Sequence, residues 1–452
     1  MNWLLELNST VNSIVWGTPM MVVLIGSGIF LTIATRGIQF GKFFFAIRQV
    51  LIGRRHPQAR GSVTPFQALA TSMSATVGVG NIAGVSIAIA TGGPGAVFWM
   101  FMTGLVGMAT KYSEIAVALE YRHRDEQGDL RGGAMYILSK RFGAQWLGVV
   151  FAVACSLAAF GIGNMTQANT VANAVHAMWG IAPSISGLIL AALTALVIIG
   201  GIRRIAEVTS ILAPVMCVLY MSCALIVIVP RLAELPSVIA LVIDSAFNGH
   251  AALGGFLGAS ARAAARTGVA RGLFSSEAGL GSAPIVHAAA VTDHPARQAV
   301  YGIFGVFVDT LVVCMLTAAI VLTTGVWESG QTGAELTAMA FSVGLEGEWG
   351  GQLVAVAVTL FGFSTIIGWA YYGETGIAYL FGLRGVKPYR VIWTVAVLVG
   401  AIGGLEVVWR ISDTLNAVMA IPNLIAVLGS VGMIRGQIHE FFEMRVLRKT
   451  VE

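Results

Sequence analysis

The chain has 452 residues and a formal net charge of +5, and its composition is 56% apolar and only 11% charged, with a mean hydropathy of +0.81. A soluble globular protein carries roughly 25% charged residues, so this chain has too few charges to cover its surface in water. Several runs of about 20 residues carry almost no charge, and a helix of that length crosses about 30 Å of hydrocarbon. Composition therefore excludes a soluble protein and predicts an all-α polytopic membrane protein embedded in a lipid bilayer.

The apolar runs predict eleven membrane helices. Their ranges are 14–35, 65–91, 94–121, 146–177, 184–202, 206–229, 236–266, 298–323, 350–382, 389–405 and 411–434. The segments 236–266 and 350–382 exceed the length needed to cross the bilayer, so we expect them to be tilted, broken or extended beyond it. The short apolar stretch 40–52 carries two basic residues and predicts an amphipathic helix at the interface instead of a span.

The basic residues predict the orientation of these helices. They cluster after the first segment, at 122–145, at 203–204, at 384–390 and at 435–449, whereas the loop at 324–349 is acidic. Cytoplasmic loops carry the excess of Lys and Arg, so we expect the N-terminus outside and the C-terminus in the cytoplasm of a bacterial-type inner membrane. Short basic clusters between apolar runs do not indicate a nucleic-acid partner.

Two placements are open for the seventh segment. The first is 236–266, with residues 267–297 as a cytoplasmic loop whose run of Gly and Ser forms an inner gate. The second is 251–282, which would put Arg262, Arg266 and Arg271 in the bilayer at considerable cost. We therefore expect the first placement.

The second segment contains SATVGVGNIAG at 74–84. Each glycine destabilises a helix by about 1 kcal/mol relative to Ala, and a broken backbone within a membrane persists only where it is buried in protein or lines a cavity. Freed N–H groups suit a carboxylate, and freed carbonyl groups suit Na⁺. Close helix packing through small residues is the alternative, but Thr76 and Asn81 in the same run favour a binding site.

The fourth segment carries Asn164, Thr166, Gln167 and Asn169 in GIGNMTQAN. Four polar side chains within six residues of a span indicate a bundle interior or a cavity. Asn164 and Gln167 share one helix face, and their amides could bind either end of a zwitterion. Polar contacts between helices, without a ligand, are the other interpretation.

The seventh segment is also interrupted by glycines, in AFNGHAALGGFLGAS at 246–260. Discontinuous helices at corresponding positions of two halves are the best sequence pointer to a transport site. We therefore predict a second helix break here, with Gly254 at the substrate site.

Three of the charged residues within predicted spans carry a specific hypothesis. Lys111 and Glu114 are three apart on one helix face, which predicts a structural ion pair or a gate contact. Asp309 lies in the middle of a span, where a carboxylate is a functional hypothesis by default. It either binds an ion or proton or belongs to a structural pair.

The ninth segment places Ser364 and Thr365 deep in a long helix. With the carbonyl of Phe361 they form a set of hard oxygens suited to Na⁺. Alternatively, the hydroxyls bond back to their own helix. No span carries H-E-x-x-H or G-x-S-x-G, so we expect no enzyme, and a passive channel would need no ion site.

Three motifs now indicate a family. SATVGVGNIAG, GGPGAVFWM and GVARGLFSSEAGLGSAP closely resemble the sodium:alanine (alanine or glycine:cation) symporter family, and the likeness runs over most of the chain. TVGVGN is also similar to the broken first core helix of neurotransmitter:sodium symporters. The resemblance implies a leucine-transporter-type fold of two inverted five-helix repeats with one extra N-terminal helix. It also implies uptake of alanine and glycine driven by Na⁺, or by H⁺ in some members.

The resemblance divides the chain and assigns its site. The expected parts are the extra helix at 1–35, a cytoplasmic amphipathic linker at 36–64, the repeats at 65–229 and 236–434, and a cytoplasmic tail at 435–452. The residues implied in substrate binding are Thr76, Val79 and Gly80 through their backbone, with Asn81, Asn164, Gln167 and Gly254. The implied sodium ligands are the carbonyls of Ser74, Val77 and Phe361 and the hydroxyls of Ser364 and Thr365.

Overall fold

The structure is a computed structural model that describes residues 11–12, 17–53, 61–248, 260–404 and 406–443, without the side chains of Glu406, Trp409 and Arg410. Nearly all of the described chain is helical. The helices are α1 (Thr18–Ala34), α2 (Phe43–Ile52), α3 (Pro65–Thr76), α4 (Gly80–Gly92), α5 (Gly95–Glu120), α6 (Ala134–Phe142), α7 (Gln145–Trp179), α8 (Pro183–Ile198), α9 (Gly201–Ile228), α10 (Leu235–Asn248), α11 (Ala261–Ser276), α12 (Ala283–His287), α13 (Pro295–Thr323), α14 (Gly333–Gly344), α15 (Trp349–Phe381), α16 (Val386–Ile402), α17 (Glu406–Leu428) and α18 (Val431–Ile438).

Short elements complete the described fold. A two-stranded antiparallel hairpin pairs β1 (His123–Arg124) with β2 (Leu130–Arg131) between α5 and α6. One-turn helices lie at Ile38–Gly41, Val229–Glu234, Val326–Glu328 and Leu383–Gly385, and π-helical turns lie at Gly80–Gly84, Ala159–Met165, Phe307–Cys314 and His439–Glu443. Such π-helical turns within spanning helices are frequent at functional sites.

The membrane-spanning character follows from helix length and composition. Within the described residues, six continuous helices are long and apolar enough to cross a bilayer, and α3 with α4, bent by 51°, makes a seventh. The apolar helices α1 and α8 are shorter, at 17 and 16 residues. Their outward faces carry exposed Val, Leu and Ile side chains, which suits contact with lipid.

Ten of the eleven predicted segments coincide with helices. The largest difference lies at the end of the last one, where 434 was expected and α17 ends at Leu428. The predicted amphipathic helix at 40–52 is present as α2, whose ten residues are too few to span.

The prediction for the seventh segment is wrong. Helix α10 ends at Asn248, and α11 begins at Ala261 and continues to Ser276 through residues expected in a loop. Helix α11 packs along α5 and α4, so protein and not lipid surrounds much of it. The cost assumed for a helix with three arginines in lipid therefore did not apply. The expected break at 246–260, including Gly254, lies largely outside the described residues.

In the described part of the second half of the chain, a helix break lies between α11 and α12. Glu277, Gly279 and Gly281 have φ values of 52°, 94° and 78°. Positive φ is open to glycine and rare for other residues, so two glycines permit this turn and Glu277 is held in it. Strained backbone of this kind is concentrated at functional sites.

A charge network fixes the hairpin to the bundle. The Arg390 guanidinium donates two hydrogen bonds to the Glu374 carboxylate, at 2.7 and 3.0 Å. Arg131 lies 3.5 Å from the same carboxylate and bonds Asp125 at 2.9 Å. Glu374 is buried. Since its partners lie on different elements, the network joins the hairpin, α15 and α16.

Candidate substrate and sodium site

The first helix break begins at a well-defined cap. Thr64 and Gln67 form a capping box at the start of α3, with Pro65 in its first turn, which fixes where the helix begins. Helix α3 ends at Thr76, and the chain turns through residues 77–79 before α4 begins at Gly80. The glycine-rich run therefore forms a break, as the sequence predicted.

The two breaks are connected through Asn81. Its side-chain oxygen Oδ1 accepts a hydrogen bond from Gly78 N at 2.9 Å, and its side-chain nitrogen Nδ2 donates to Asp309 Oδ1 at 2.7 Å and to Ser275 Oγ at 3.1 Å. Ser275 donates in turn to Asp309 Oδ2 at 2.8 Å. Asp309 thus ties α4, α11 and α13 together at the level of both breaks.

Glu114 holds the second break from behind. One of its carboxylate oxygens accepts bonds from Gly279 N at 3.0 Å, Gly281 N at 3.2 Å and Asn423 Nδ2 at 2.5 Å. The predicted ion pair of Glu114 with Lys111 is not formed, because the Lys111 ammonium has no hydrogen-bond partner among the described residues. Glu114 instead accepts hydrogen bonds from backbone N–H groups that the helix break leaves without a partner in a helix.

A small cavity of about 20 Å³ lies where the two breaks meet. Its walls come from α3, α4, α7, α11, α15 and α17 and from the second break. The lining residues are Ala75, Thr76, Gly78, Gly80, Ile162, Gln167, Phe274, Ser275, Glu277, Leu280, Thr365, Trp369 and Asn416. The cavity therefore joins segments that are far apart in the sequence.

The structure brings three of the predicted substrate residues to this cavity, namely Thr76, Gly80 and Gln167. Gln167 donates its amide N–H to Ile162 O at 2.9 Å, and its carbonyl oxygen has no hydrogen-bond partner among the described residues. That orphaned oxygen belongs to a side chain on the wall of the cavity.

The other predicted substrate residues lie elsewhere. Asn164 donates to Trp393 O at 2.9 Å and so contacts α16, while Asn81 joins the two breaks from outside the cavity wall. Val79 is buried but does not line the cavity. Gly254 is not among the described residues. The contact that Asn164 makes in the structure is thus a polar contact between helices, α7 and α16.

The predicted sodium ligands come together between α3 and α15. Ser74 O accepts hydrogen bonds from Ser364 Oγ at 3.2 Å and Thr365 Oγ1 at 3.1 Å, and Ser364 Oγ also reaches Phe361 O at 2.9 Å. All four residues, and Val77 beside them, are buried. Neither hydroxyl donates to the Val77 carbonyl. Neutral carbonyl and hydroxyl oxygens at this spacing fit a hard monovalent cation.

Phe274, Glu277, Trp369 and Asn416 are among the lining residues that the sequence did not assign to the site. Phe274 and Glu277 lie in the run that was expected to form an inner-gate loop. Their signal was present, since the run is rich in glycine and carries a carboxylate, as helix breaks do. Trp369 and Asn416 had no local signal, because only the packing of α15 and α17 brings them to the site.

Comparison with known proteins now decides the family. The model of the sodium:alanine symporter family matches residues 1–451. The chain belongs to that family. It is therefore a multi-pass membrane transporter, and the family couples transport to sodium.

Two relatives match this chain over nearly their full length. The chain is 43% identical over 448 residues to the sodium/alanine symporter AgcS of Methanococcus maripaludis, covering 97% of this chain and 98% of that protein. It is 41% identical over 437 residues to an uncharacterised transporter of Haemophilus influenzae, covering 96% and 95%.

Solved structures share the fold at much lower identity. MhsT in complex with L-phenylalanine matches with a TM-score of 0.59 and 12% identity, covering 82% of this chain and 90% of that chain. A mutant of the Eremococcus coleocola manganese transporter matches with a TM-score of 0.54 and 14% identity, covering 85% and 82%. These transporters have the leucine-transporter-type fold, and so does this member of the sodium:alanine symporter family.

Proposed function

We propose that this chain couples the inward flow of Na⁺ to the uptake of alanine and glycine by alternating access. The observation that carries the proposal is the meeting of two broken helices at one small cavity, beside a buried set of neutral oxygens. Broken helices expose N–H groups for an anionic substrate group and carbonyl groups for a cation. A relative of this chain is named a sodium/alanine symporter, which agrees with this combination.

The substrate carboxylate would lie at the N-terminal end of α4. The first N–H groups of a helix have no partner within the helix and attract an anion. Gly80 and Thr76 line the cavity at this point, and a glycine lets a carboxylate approach the backbone closely.

Sodium would lie between α3 and α15. Its ligands would be the carbonyls of Ser74, Val77 and Phe361 and the hydroxyls of Ser364 and Thr365. The two hydroxyls already contact the Ser74 carbonyl, so a cation would replace mutual hydrogen bonds with coordination. Binding would draw α3 and α15 together beside the substrate, which couples the two ligands.

The cavity favours a small substrate. Phe274, Trp369 and Ile162 form its apolar walls, and inserting extra methylene groups into packed surroundings costs about 1–3 kcal/mol. Alanine and glycine carry at most one methyl group, whereas leucine and phenylalanine carry several further carbons. Glutamine is a second candidate, because a relative in Bacillus subtilis at 38% identity is named a probable sodium/glutamine symporter.

Uptake of labelled alanine into proteoliposomes tests the proposal. We expect uptake under an imposed Na⁺ gradient and none under Li⁺ or K⁺ gradients, with competition by unlabelled glycine but not by leucine. A proton gradient is a necessary arm, since another relative, at 35% identity, is named a putative sodium/proton-dependent alanine carrier. Uptake driven by protons without sodium, or competition by glutamine alone, would contradict the proposal.

The proposed repeats follow the two breaks. The first would comprise α3 with α4, then α5, α7, α8 and α9. The second would comprise α11 with α12, then α13, α15, α16 and α17, so that it begins at residue 261 and not at 236. Helix α1 would be the extra N-terminal helix, and α10 would connect the repeats.

The proposed orientation places the N-terminus outside and the C-terminus in the cytoplasm, on the ground that the basic clusters then lie inside. Cysteine labelling in intact cells tests it. The Gln331→Cys variant should react with an impermeant reagent and the Gln58→Cys variant should not. The reverse pattern would contradict this orientation.

A further inference from the structure

Two amide oxygens on the cavity wall lack donors. Gln167 Oε1 and Asn416 Oδ1 belong to side chains that are 6% and 1% exposed, and neither has a hydrogen-bond partner among the described residues. The bond from Gln167 Nε2 to Ile162 O at 2.9 Å fixes which end of that amide is the orphan. Other buried acceptors of the described residues also lack a donor, Asn164 Oδ1 among them, but these two share one cavity wall, where a ligand that donates hydrogen bonds would satisfy both.

The carboxyl group of Glu277 lies on the same wall. Its side chain accepts a hydrogen bond from Ser282 Oγ at 2.5 Å, Trp369 lines the same cavity, and Glu277 is 3% exposed. No Lys, Arg or His nitrogen among the described residues lies within the 4.0 Å of an ion pair, and the buried Lys111 ammonium acts on it only from further away. A buried carboxylate with one neutral hydroxyl donor and no paired cation is strongly under-compensated.

Glu114 is an informative contrast. It is also fully buried and also near Lys111, but two backbone N–H groups and one amide saturate one of its oxygens, and it does not line the cavity. The other Glu114 oxygen, Oε2, has no hydrogen-bond partner among the described residues, but Glu114 lies outside the cavity wall, whereas Glu277 faces a cavity that also receives two orphaned acceptors.

We propose that Glu277, Gln167 and Asn416 form a subsite for the primary ammonium group of the substrate. An ammonium group has three N–H donors and no acceptor, which matches one carboxylate and two amide oxygens. Charge-assisted hydrogen bonds to a carboxylate are roughly twice as strong as neutral ones. The proposed place of Na⁺ is the neutral set of oxygens between α3 and α15, where Ser364 and Thr365 already contact the Ser74 carbonyl.

This subsite rests on the proposed function and adds its specificity. The carboxylate of the substrate lies against α4 at the first break, and the ammonium lies against Glu277 at the second. Each break therefore recognises one end of a zwitterion. Small acids without an amine would therefore be rejected.

The wild-type protein supplies the first test. Binding of alanine and of L-lactate, which has a hydroxyl in place of the ammonium, is measured by titration calorimetry of purified protein in Na⁺. We expect lactate to bind at least about 100-fold more weakly than alanine, because it offers one neutral donor. Lactate binding within about threefold of alanine would overturn the subsite while leaving Na⁺-dependent binding intact. Absence of any alanine binding would overturn the proposed function and the subsite together.

A matched pair of variants supplies the second test. Glu277→Gln and Glu114→Gln make the same change at two buried carboxylates near Lys111. We expect Glu277→Gln to weaken alanine by about 10- to 100-fold with little effect on lactate, so that discrimination between the two ligands collapses. Glu114→Gln should keep the discrimination of the wild type. Equal weakening of both ligands by Glu277→Gln, or a changed Na⁺ requirement with unchanged discrimination, would overturn the assignment.

Asn416→Leu keeps the test decisive if Glu277→Gln does not fold. It removes one acceptor without changing charge, and we expect it to reduce the preference for alanine over lactate by about 5- to 20-fold. An unchanged preference would remove Asn416 from the subsite.

Discussion

Replacing Gly78 by alanine probes the contact between the first break and the proposed sodium site. A Cβ atom at this position would lie 2.5 Å from Thr365 Oγ1, and real Cβ contacts essentially never fall below 3.0 Å. Thr365 or the backbone at Gly78 must therefore shift by at least 0.5 Å, which is 3.0 minus 2.5. The hydroxyl that moves is the one that bonds Ser74 O at 3.1 Å.

The magnitude follows from overpacking in a filled interior. Such changes cost typically about 1–3 kcal/mol, which corresponds to roughly 5- to 150-fold in an equilibrium. If the cost falls on the cation-bound state, Gly78→Ala raises the Na⁺ concentration for half-maximal alanine uptake by that factor. The assay is uptake into proteoliposomes at a series of Na⁺ concentrations. Thermal unfolding of the purified variant is measured beside it.

Two controls make the result specific. Gly26 lies in α1, and nothing lies within 4 Å of the position that a Cβ atom would take there, so Gly26→Ala should leave the Na⁺ requirement unchanged. In a Thr365→Ala background the clash partner is absent, so adding Gly78→Ala should change the requirement by less than about threefold. Additive effects of the two substitutions, or a Gly78→Ala variant that resembles Gly26→Ala, would show that the added Cβ atom does not act through Thr365.

Three further predictions concern ligands and stability. Ser364→Ala combined with Thr365→Ala should raise the Na⁺ requirement for uptake at least about tenfold, because two of about five oxygens are lost from a low-dielectric site, and an unchanged requirement would place sodium elsewhere. Gln167→Leu should weaken alanine binding about 10- to 100-fold in calorimetry. The exposed Asn173 on the same helix provides a control whose change to Leu should have little effect, and equal losses would count against the site. Glu374→Gln should destabilise the fold by about 3 kcal/mol, since it leaves two arginines without their shared carboxylate. An unaltered melting temperature in detergent would show that the network contributes nothing.

Local features of the sequence were enough to predict the class, the positions of most helices and the first half of the site. These features are local: the length of an apolar run, the glycines at 78 and 80, and two adjacent hydroxyls at 364 and 365. Each can be recognised within one segment, because hydrocarbon thickness and backbone propensity act on single helices. The family resemblance rested on local motifs of the same kind.

Tertiary structure alone decided the second break and the composition of the cavity. Helix α11 carries arginines and little net hydrophobicity, so hydropathy gave no sign of a helix that protein, not lipid, surrounds. Asn164 and Gln167 share a predicted helix face, yet one bonds α16 and the other lines the cavity. Asn416 joins Glu277 on the cavity wall across 139 residues of sequence (416 minus 277), and no local pattern encodes such a meeting. A binding site assembled from six helices is a property of their packing, because each helix contributes only one or a few side chains.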